Sequence, residues 1–511
     1  MSGPGGRPFT PEQAAAIARR QGPMVLSANA GSGKTSVLVE RFVRSVVDDE
    51  LHPGQILAIT FTEKAAGELR ARVRERLLEM GERRAAQAAE GAWMSTIHGF
   101  CARVLRAHAV AAGLDPAFSV LDEAGARALR HEAFDTALAG FMGNGEGEPR
   151  FDALDLAAAY TPDRLERMVV AVHEELRSRG QTRPVLPPVG AGDPSPQRAA
   201  LREAAVAAAG ALSTARALGA IDHAREAVGR CLELLERLRE GAHAETADLE
   251  ALRFGPGRVA ELGSEPCTAY LGALGAYREA CTDAAAVAAL GLIGELLERF
   301  GAAYAAAKTR SSALDFADLE LVTRDLFDGA PAVAAGYAER FERVMVDEFQ
   351  DTNALQLELL RHLERDNAFV VGDELQSIYG FRHADVGVFR ERREAMQATG
   401  HAASLATSFR ARAEILDVLN AAFGPGHGPG YVPLLAGRSD APATEPRVEL
   451  LVTEQPAWDD EADAPLAAAV GEGLPAPRTS LAAEARLVAQ RVRELVESDN
   501  SFVDGDELQT N

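Results

Sequence analysis

Apolar positions first gather in a short run, Met24 to Ala28, which passes through a Gly-rich turn into a 3.6-residue periodicity from Lys34 to about Val47. The same grammar repeats twice. Ile56 to Phe61 reads as a strand feeding a helix through Met80, with apolar residues on one side and arginines on the other. Trp93 to Thr96 reads as a strand feeding a helix through about Ala111. Such alternation predicts a parallel sheet with crossover helices, hence an α/β protein. From about Asp122 to Ala307 the chain becomes Ala/Leu/Arg/Glu-rich with few β-branched residues, which predicts a helical block broken by a Pro/Gly loop from Gly180 to Pro196. Strand character returns at Arg343 to Phe349, at Phe369 to Asp373 and weakly at Ser404 to Ala406, so the helical block is expected as an insertion between strands of one sheet. Gly424 to Pro477 is rich in Gly, Pro and acid and reads as a linker. Leu481 to Val496 reads as a last helix.

Composition adds further constraints. Of 511 residues, 47% are apolar, enough for real cores and too many for a disordered chain. The formal charge is −23, from 53 basic and 76 acidic side chains, which taken alone argues against a nucleic-acid partner. Only Lys34, Lys64 and Lys308 are lysines, so the positive charge is nearly all arginine. The cysteines, Cys101, Cys231, Cys267 and Cys281, show no CxxC or metal-ligand spacing and fit a reducing, cytoplasmic setting. The longest apolar run, Ala284 to Gly294, is far shorter than the ~18 residues of a membrane span, so no membrane partner is expected.

Two stretches carry chemistry. Ala28-Asn29-Ala30-Gly31-Ser32-Gly33-Lys34-Thr35 lies between a strand and a helix, where successive N–H groups and the helix N-terminus form a nest for phosphates. Lys34 would reach the β/γ-phosphates and the Thr35 hydroxyl would ligate Mg²⁺; Ala28 stands where GxxxxGK[ST] has its first glycine. The apolar run Val344-Met345-Val346 ends in Asp347-Glu348, at the end of a strand where open α/β sheets bind ligands. One of these two carboxylates can hold the Mg²⁺ shell while its neighbour polarises the attacking water, although an acidic cap is common in so acidic a chain.

Together with Thr60-Phe61-Thr62-Glu63-Lys64-Ala65-Ala66, Ser95-Thr96-Ile97-His98-Gly99-Phe100, ALDFADLE from Ala313, DEFQDT from Asp347, VGDELQSIYGFRHAD from Val371 and Ser408-Phe409-Arg410-Ala411-Arg412, these blocks stand in the order of the UvrD/Rep/RecB-like superfamily 1A DNA helicases. From about Phe9 to Asn420 the chain resembles that family, and in motif flavour its RecB/AddA branch. The resemblance implies a RecA-like P-loop sheet with a large all-α insertion, ATP and Mg²⁺ as cofactors, and 3′–5′ movement on single-stranded or duplex DNA. Residue by residue, it implies that Gln13 reads adenine, an amide matching both donor and acceptor on that edge. Phe409 would stack on the base and Arg410 would contact the γ-phosphate. Gln376 would couple the γ-phosphate to the DNA site. Phe61, Tyr379 and Phe381 would line the single-strand path beside Lys64, His98 and Arg382, since base–aromatic stacking grips DNA without reading sequence. ALDFADLE reads as packing where the chain re-enters the sheet.

On this reading residues 1–115 and 306–425 form a discontinuous RecA-like ATP-binding domain, 116–305 the helical insertion, 426–478 a linker, and 479–511 the beginning of a truncated second domain. The family's Lys-Gly-Glu and Thr-Arg-Ala patterns are missing after Asn420. The expectation is therefore an N-terminal helicase part whose isolated turnover is negligible. The alternatives are a motor subunit of a helicase–nuclease with a nuclease or repair partner, or a nucleotide- and DNA-binding module without turnover. The acidic balance then becomes a constraint: Lys64, Arg382 and the arginines from Arg70 to Arg76 are expected to form a narrow cationic track.

Overall fold

A parallel sheet of six strands carries the site. In a computed structural model of the chain, the residues described are 8–143, 150–190, 192–216, 219–239, 244–255, 259–380, 384–427, 431–439, 448–450, 485, 487–489 and 491–494. The chain divides into two compact units, Met1–Arg410 and Ala411–Asn511.

In the first unit, helix α1 (Pro11–Ala18) starts at a capping box between Thr10 and Gln13, with Pro11 in the first turn. Strand β1 (Met24–Ala28) leads through the Gly-rich turn into α2 (Lys34–Val47), and β2 (Ile56–Thr60) into α3 (Glu63–Glu79). A short α4 (Arg83–Ala89), which the periodicity does not signal, precedes β3 (Trp93–Thr96) and α5 (Ile97–Ala107). After the helical block come β6 (Arg343–Val346), α15 (Ala354–Arg361), β7 (Ala368–Gly372), α16 (Val386–Ala398) and β8 (Ala402–Leu405). The strand order is β3-β2-β6-β7-β1-β8, every described pair parallel. Period-two alternation sends Val25, Leu57, Val344 and Val370 into one core and Leu26, Ala58, Met345 and Phe369 into the other. Arg41 on α2 is buried over the Phe369 ring, 4.0 Å from its centroid, and donates to the carbonyls of Ala16 and Arg19 at the end of α1. Burial, then Arg343, pulls its pKa down to about 9.

The helical block comprises α6 (Glu123–Phe141), α7 (Phe151–Tyr160), α8 (Pro162–Ser178), α9 (Ser195–Ser213), α10 (Gly219–Arg237), α11 (Thr246–Glu250) and α12 (Glu265–Arg310). Helix α12 joins two cores. Cys267, Tyr270, Leu274, Tyr277 and Cys281 pack with α9 and α10, while Ile293, Leu297, Phe300 and Tyr304 pack with α6, α7 and α8. By length and composition α12 is apolar enough to cross a membrane, with mean hydropathy 1.6 over an 18-residue stretch. Counting uninterrupted apolar residues misses this, because Asp283 and Glu295 bound the run. A two-residue parallel pair, β4 (Ser119–Val120) with β5 (Ala313–Leu314), closes the block where the chain leaves and rejoins the sheet; strands so short leave no periodic signal. Then α13 (Phe316–Gly329) and α14 (Pro331–Arg340) lead into β6.

At that junction lies a buried ionic cluster. Arg177 on α8 reaches Asp315 at 3.1 Å and Asp318 at 2.5 Å; Lys308 at the end of α12 reaches the same two carboxylates at 2.8 and 2.5 Å. Asp315 and Asp318 also form the capping box of α13. Lys308 is thus a structural cation. Against the cost of burial, Arg177 and Lys308 hold Asp315 below the usual carboxylate range. In the second unit, α17 (Ala413–His427) holds its neighbour through Asn420, whose amide donates to the Leu434 carbonyl at 2.9 Å.

Candidate nucleotide site and adjoining cavity

Three adjacent strands, β6, β7 and β1, deliver their carboxyl ends to one place, and the site is assembled there. Ala28 is the last, fully buried residue of β1, paired with Leu405 of β8, so regular strand geometry suffices at that position. The left-handed conformation is needed further on, at Gly31 (φ 72°) and Gly33 (φ 85°). A Cβ at Gly31 would lie 2.5 Å from Arg410 Cβ, and one at Gly33 would lie 2.7 Å from Gln13 Nε2. Phe409 N–H donates to the Gly31 carbonyl at 2.8 Å, so the segment carrying Phe409 and Arg410 is laced to the loop. Gln13 is buried, with Oε1 accepting from Thr10 N–H at 3.0 Å and Nε2 donating to the Ser32 carbonyl at 2.8 Å. Each end of the amide keeps one further hydrogen-bonding position. Asn29 N–H donates to Leu405, and Ala30 completes the turn.

Lys34 Nζ meets Glu348 Oε2 at 2.9 Å, joining phosphate loop and acidic strand end across β7. Glu348 has φ 50°, a conformation that costs a non-glycine residue of order 1–3 kcal/mol and is typical of functional sites. Strand β6 stops at Val346, just short of the acidic pair, so the carboxylates leave the sheet on a turn. Burial and the Glu348 charge push Asp347 up to about 6, against the pull of Lys34; Asp351, in the following turn, is pushed up to about 6 by the same two causes. The arrangement fits a phosphate chain with its cation. Ser32 Oγ is buried with no hydrogen-bond partner among the described residues, and an added Cβ at 31 or 33 would fill the cradle. Thr35 in the first turn of α2 and Asp347 would hold Mg²⁺, which supplies charge neutralisation at the phosphates when bound. Gln376 Nε2 donates to Asp373 Oδ2 at 2.6 Å, just past the end of β7.

Beyond the acidic strand end opens a cavity of about 910 Å³, lined by Phe61, Thr62, His98, Phe316, Glu348 and Arg130 among others. The Phe61 and Tyr379 rings meet with centroids 4.4 Å apart and planes tilted by 38°, so two residues distant in sequence come together. His98 Nε2 lies 3.0 Å from Glu320 Oε1 and its ring 5.0 Å from Phe316. Lys64 is 74% exposed, 3.8 Å from Glu68. Phe381 and Arg382 lie outside the described residues. Within ALDFADLE the sequence suggests no role for Phe316 beyond packing. The structure instead leaves its ring 47% exposed at the start of α13, against His98, and a lone aromatic between two aspartates carries no signal of that. The expected cationic track is corrected in part. Part-buried Arg70 donates to the Met94 carbonyl at 2.7 Å, while Arg74 pairs with Glu90 at 3.3 Å and Arg76 with Glu40 and Glu79 at 3.0 and 2.7 Å, because arginines on a helix of an acidic chain find carboxylates.

A parallel sheet with a phosphate loop after β1 and an acidic pair after β6 defines an α/β protein of the P-loop class. The model of the UvrD/REP helicase N-terminal domain matches residues 9–205 and 291–397, more than half of the chain, and the chain belongs to that family. It is similar to an ATP-dependent helicase/nuclease subunit of Geobacillus kaustophilus (strain HTA426), 31% identical over 96% of this chain and 45% of that protein. It is also similar to the proteins of the same name from Desulforudis audaxviator (strain MP104C), 32% identical over 82% of this chain and 40% of that protein, and Moorella thermoacetica (strain ATCC 39073 / JCM 9320), 32% identical over 83% and 35%. The chain thus spans less than half the length of these relatives.

Proposed function

We propose that the chain is the ATP-binding motor portion of an ATP-dependent DNA helicase, coupling ATP·Mg²⁺ hydrolysis to 3′–5′ movement along single-stranded DNA during repair. The observation that carries this reading is the contact of Lys34 with Glu348 at 2.9 Å in the same unit as the tilted Phe61–Tyr379 ring pair. The strand end beneath that contact lines the cavity that Phe61 and His98 also line. In this proposal the N–H groups of residues 31–35 and Lys34 bind the phosphates, Thr35 and Asp347 bind Mg²⁺, and Glu348 orients and deprotonates water. Gln13 and Phe409 hold the adenine; Arg410 and Gln376 answer to the γ-phosphate. Phe61, Tyr379, Phe381 and Phe316 offer faces to bases, with Lys64, His98 and Arg382 at the backbone. The polarity rests on family resemblance alone.

A second reading, that this motor belongs to a helicase–nuclease assembly with a nuclease partner, is favoured by the names of the relatives. Residues 1–511 on their own are proposed to bind ATP·Mg²⁺ with negligible turnover, since a second-domain arginine is worth ~10³–10⁵ in rate. The four described free thiols are buried and suit a reducing cytoplasm. The deciding experiment is Glu348→Gln in the intact protein. Hydrolysis should fall ~10²–10⁴-fold, the usual contribution of a positioned base, while titration with a fluorescent ATP analogue still shows binding. Turnover that survives the change would refute the assignment of the base.

A further inference from the structure

Gln350 is only 1% exposed, and its whole side chain is committed. Nε2 donates to Glu348 Oε2 at 2.9 Å and to Asp351 Oδ2 at 3.2 Å, while Oε1 accepts from Asp373 N–H at 2.9 Å. Its backbone carbonyl accepts from Ser377 Oγ at 3.3 Å. The neighbours fix which end of the amide is which, since two carboxylates need donors and a peptide N–H needs an acceptor. The fit is close. A Cβ at Gly372 would come within 2.7 Å of Gln350 Oε1 and 2.9 Å of the Phe389 ring. Asp373 in turn accepts from Gln376 Nε2 at 2.6 Å, and Gln376 N–H donates to the Asp373 carbonyl at 3.0 Å. A continuous path therefore runs from Glu348 through Gln350 and Asp373 to Gln376, from the end of β6 to the turn after β7 and on toward Tyr379.

We propose that Gln350 is a positioning residue that makes the Glu348 carboxylate and the segment from Asp373 to Tyr379 move as one body, so that the nucleotide and single-strand sites sense each other through its amide. This rests on the functional reading above. The polar arms of Gln350 end on Glu348, Asp351 and the Asp373 N–H. Its amide sets the rotamer of Glu348 from one end and the backbone after β7 from the other, and a shift at either end must be followed or must break a buried hydrogen bond. Coupling of this kind is reciprocal between two ligands and is read as a ratio of affinities.

The test measures the affinity of the full chain for a fluorescein-labelled oligothymidylate with and without a non-hydrolysable ATP analogue and Mg²⁺. The wild-type ratio is expected in the range ~5–150-fold, the usual span of coupling. Gln350→Met, close in shape but without either polar arm, should bring that ratio to within about twofold of one, with each ligand's affinity measured alone little changed. Gln350→Asn, one methylene shorter and too short to reach Glu348 and the Asp373 N–H together, should do the same. A purely structural role would weaken both affinities together and leave the ratio intact, and that result overturns the proposal. Should Gln350→Met fail to fold, Gln350→Asn decides by the same ratio. Full coupling in the wild type that persists in a folded variant defeats the proposal alone. No coupling in the wild type defeats the reading of nucleotide and DNA sites together with it.

Discussion

Gly33 illustrates how much of the site is decided by single residues. Its φ of 85° and the 2.7 Å approach of Gln13 Nε2 leave no room for a Cβ. Gly33→Ala should therefore weaken nucleotide binding about tenfold or more, the equivalent of at least ~1.4 kcal/mol of strain. Ala28→Gly should gain nothing, because that residue is ordinary strand. Isothermal titration with ATP analogue and Mg²⁺ checks both, and equal affinities for Gly33→Ala and wild type would contradict the geometry. Lys34, Thr35, Asp347 and Glu348 are legible in the sequence because their chemistry depends on local spacing. Gln350 stands in plain view within DEFQDT yet carries no visible role there. Its partners, Glu348 and Asp373, meet only when β6 and β7 pair. Phe316 escapes notice for the same reason, since the His98 ring 5.0 Å from it is brought there from another element.

At the scale of elements, the junction between helical block and sheet is the feature with most at stake. Helices α8, α12 and α13 meet over Arg177, Lys308, Asp315 and Asp318, and His173 is buried beside them against Phe300 and Tyr304. Burial, reinforced by Arg177 and Lys308, drives the His173 pKa down to about 3 from an ordinary 6.5. Between those values the unfolded chain binds a proton that the folded chain refuses, so stability falls as pH is lowered from about 6.5 toward 3. The raised carboxyls of Asp347 and Asp351 act in the opposite direction below about 6, since there the folded state binds more protons. Thermal melts of wild type and His173→Gln across this range separate the two. The variant should lose less stability on acidification, and parallel curves would contradict the assignment. Helix periodicity makes the helical block legible, but not the ionic lock, whose members are spread from position 177 to 318.

Across the molecule, charge is where the sequence misleads most. A balance of −23 spreads over a structure in which many arginines are consumed internally, including Arg41, Arg70, Arg76 and Arg177. Net charge therefore says little about the local potential at the proposed DNA path. Removing a largely exposed cation there, with one loose carboxylate contact, should matter more than removing one held by two carboxylates. Lys64→Ala should lower the slope of log affinity for single-stranded DNA against log salt by about 0.7, one phosphate contact, and Arg76→Ala should leave it unchanged. Equal slopes for Lys64→Ala and wild type, in fluorescence anisotropy titrations over a salt series, would remove Lys64 from the contact. What the sequence determined by itself is whatever depends on neighbours a few residues apart: six strands, their crossover helices, the phosphate loop and the acidic pair. Only the tertiary structure decided which strand ends lie side by side, that β7 separates β1 from β6, and that Lys34 meets Glu348 across it. The reason is physical. Periodicity fixes the face a residue presents, while the pairing order of strands sets which faces meet, and that order is written in the summed packing of two cores rather than in any local stretch.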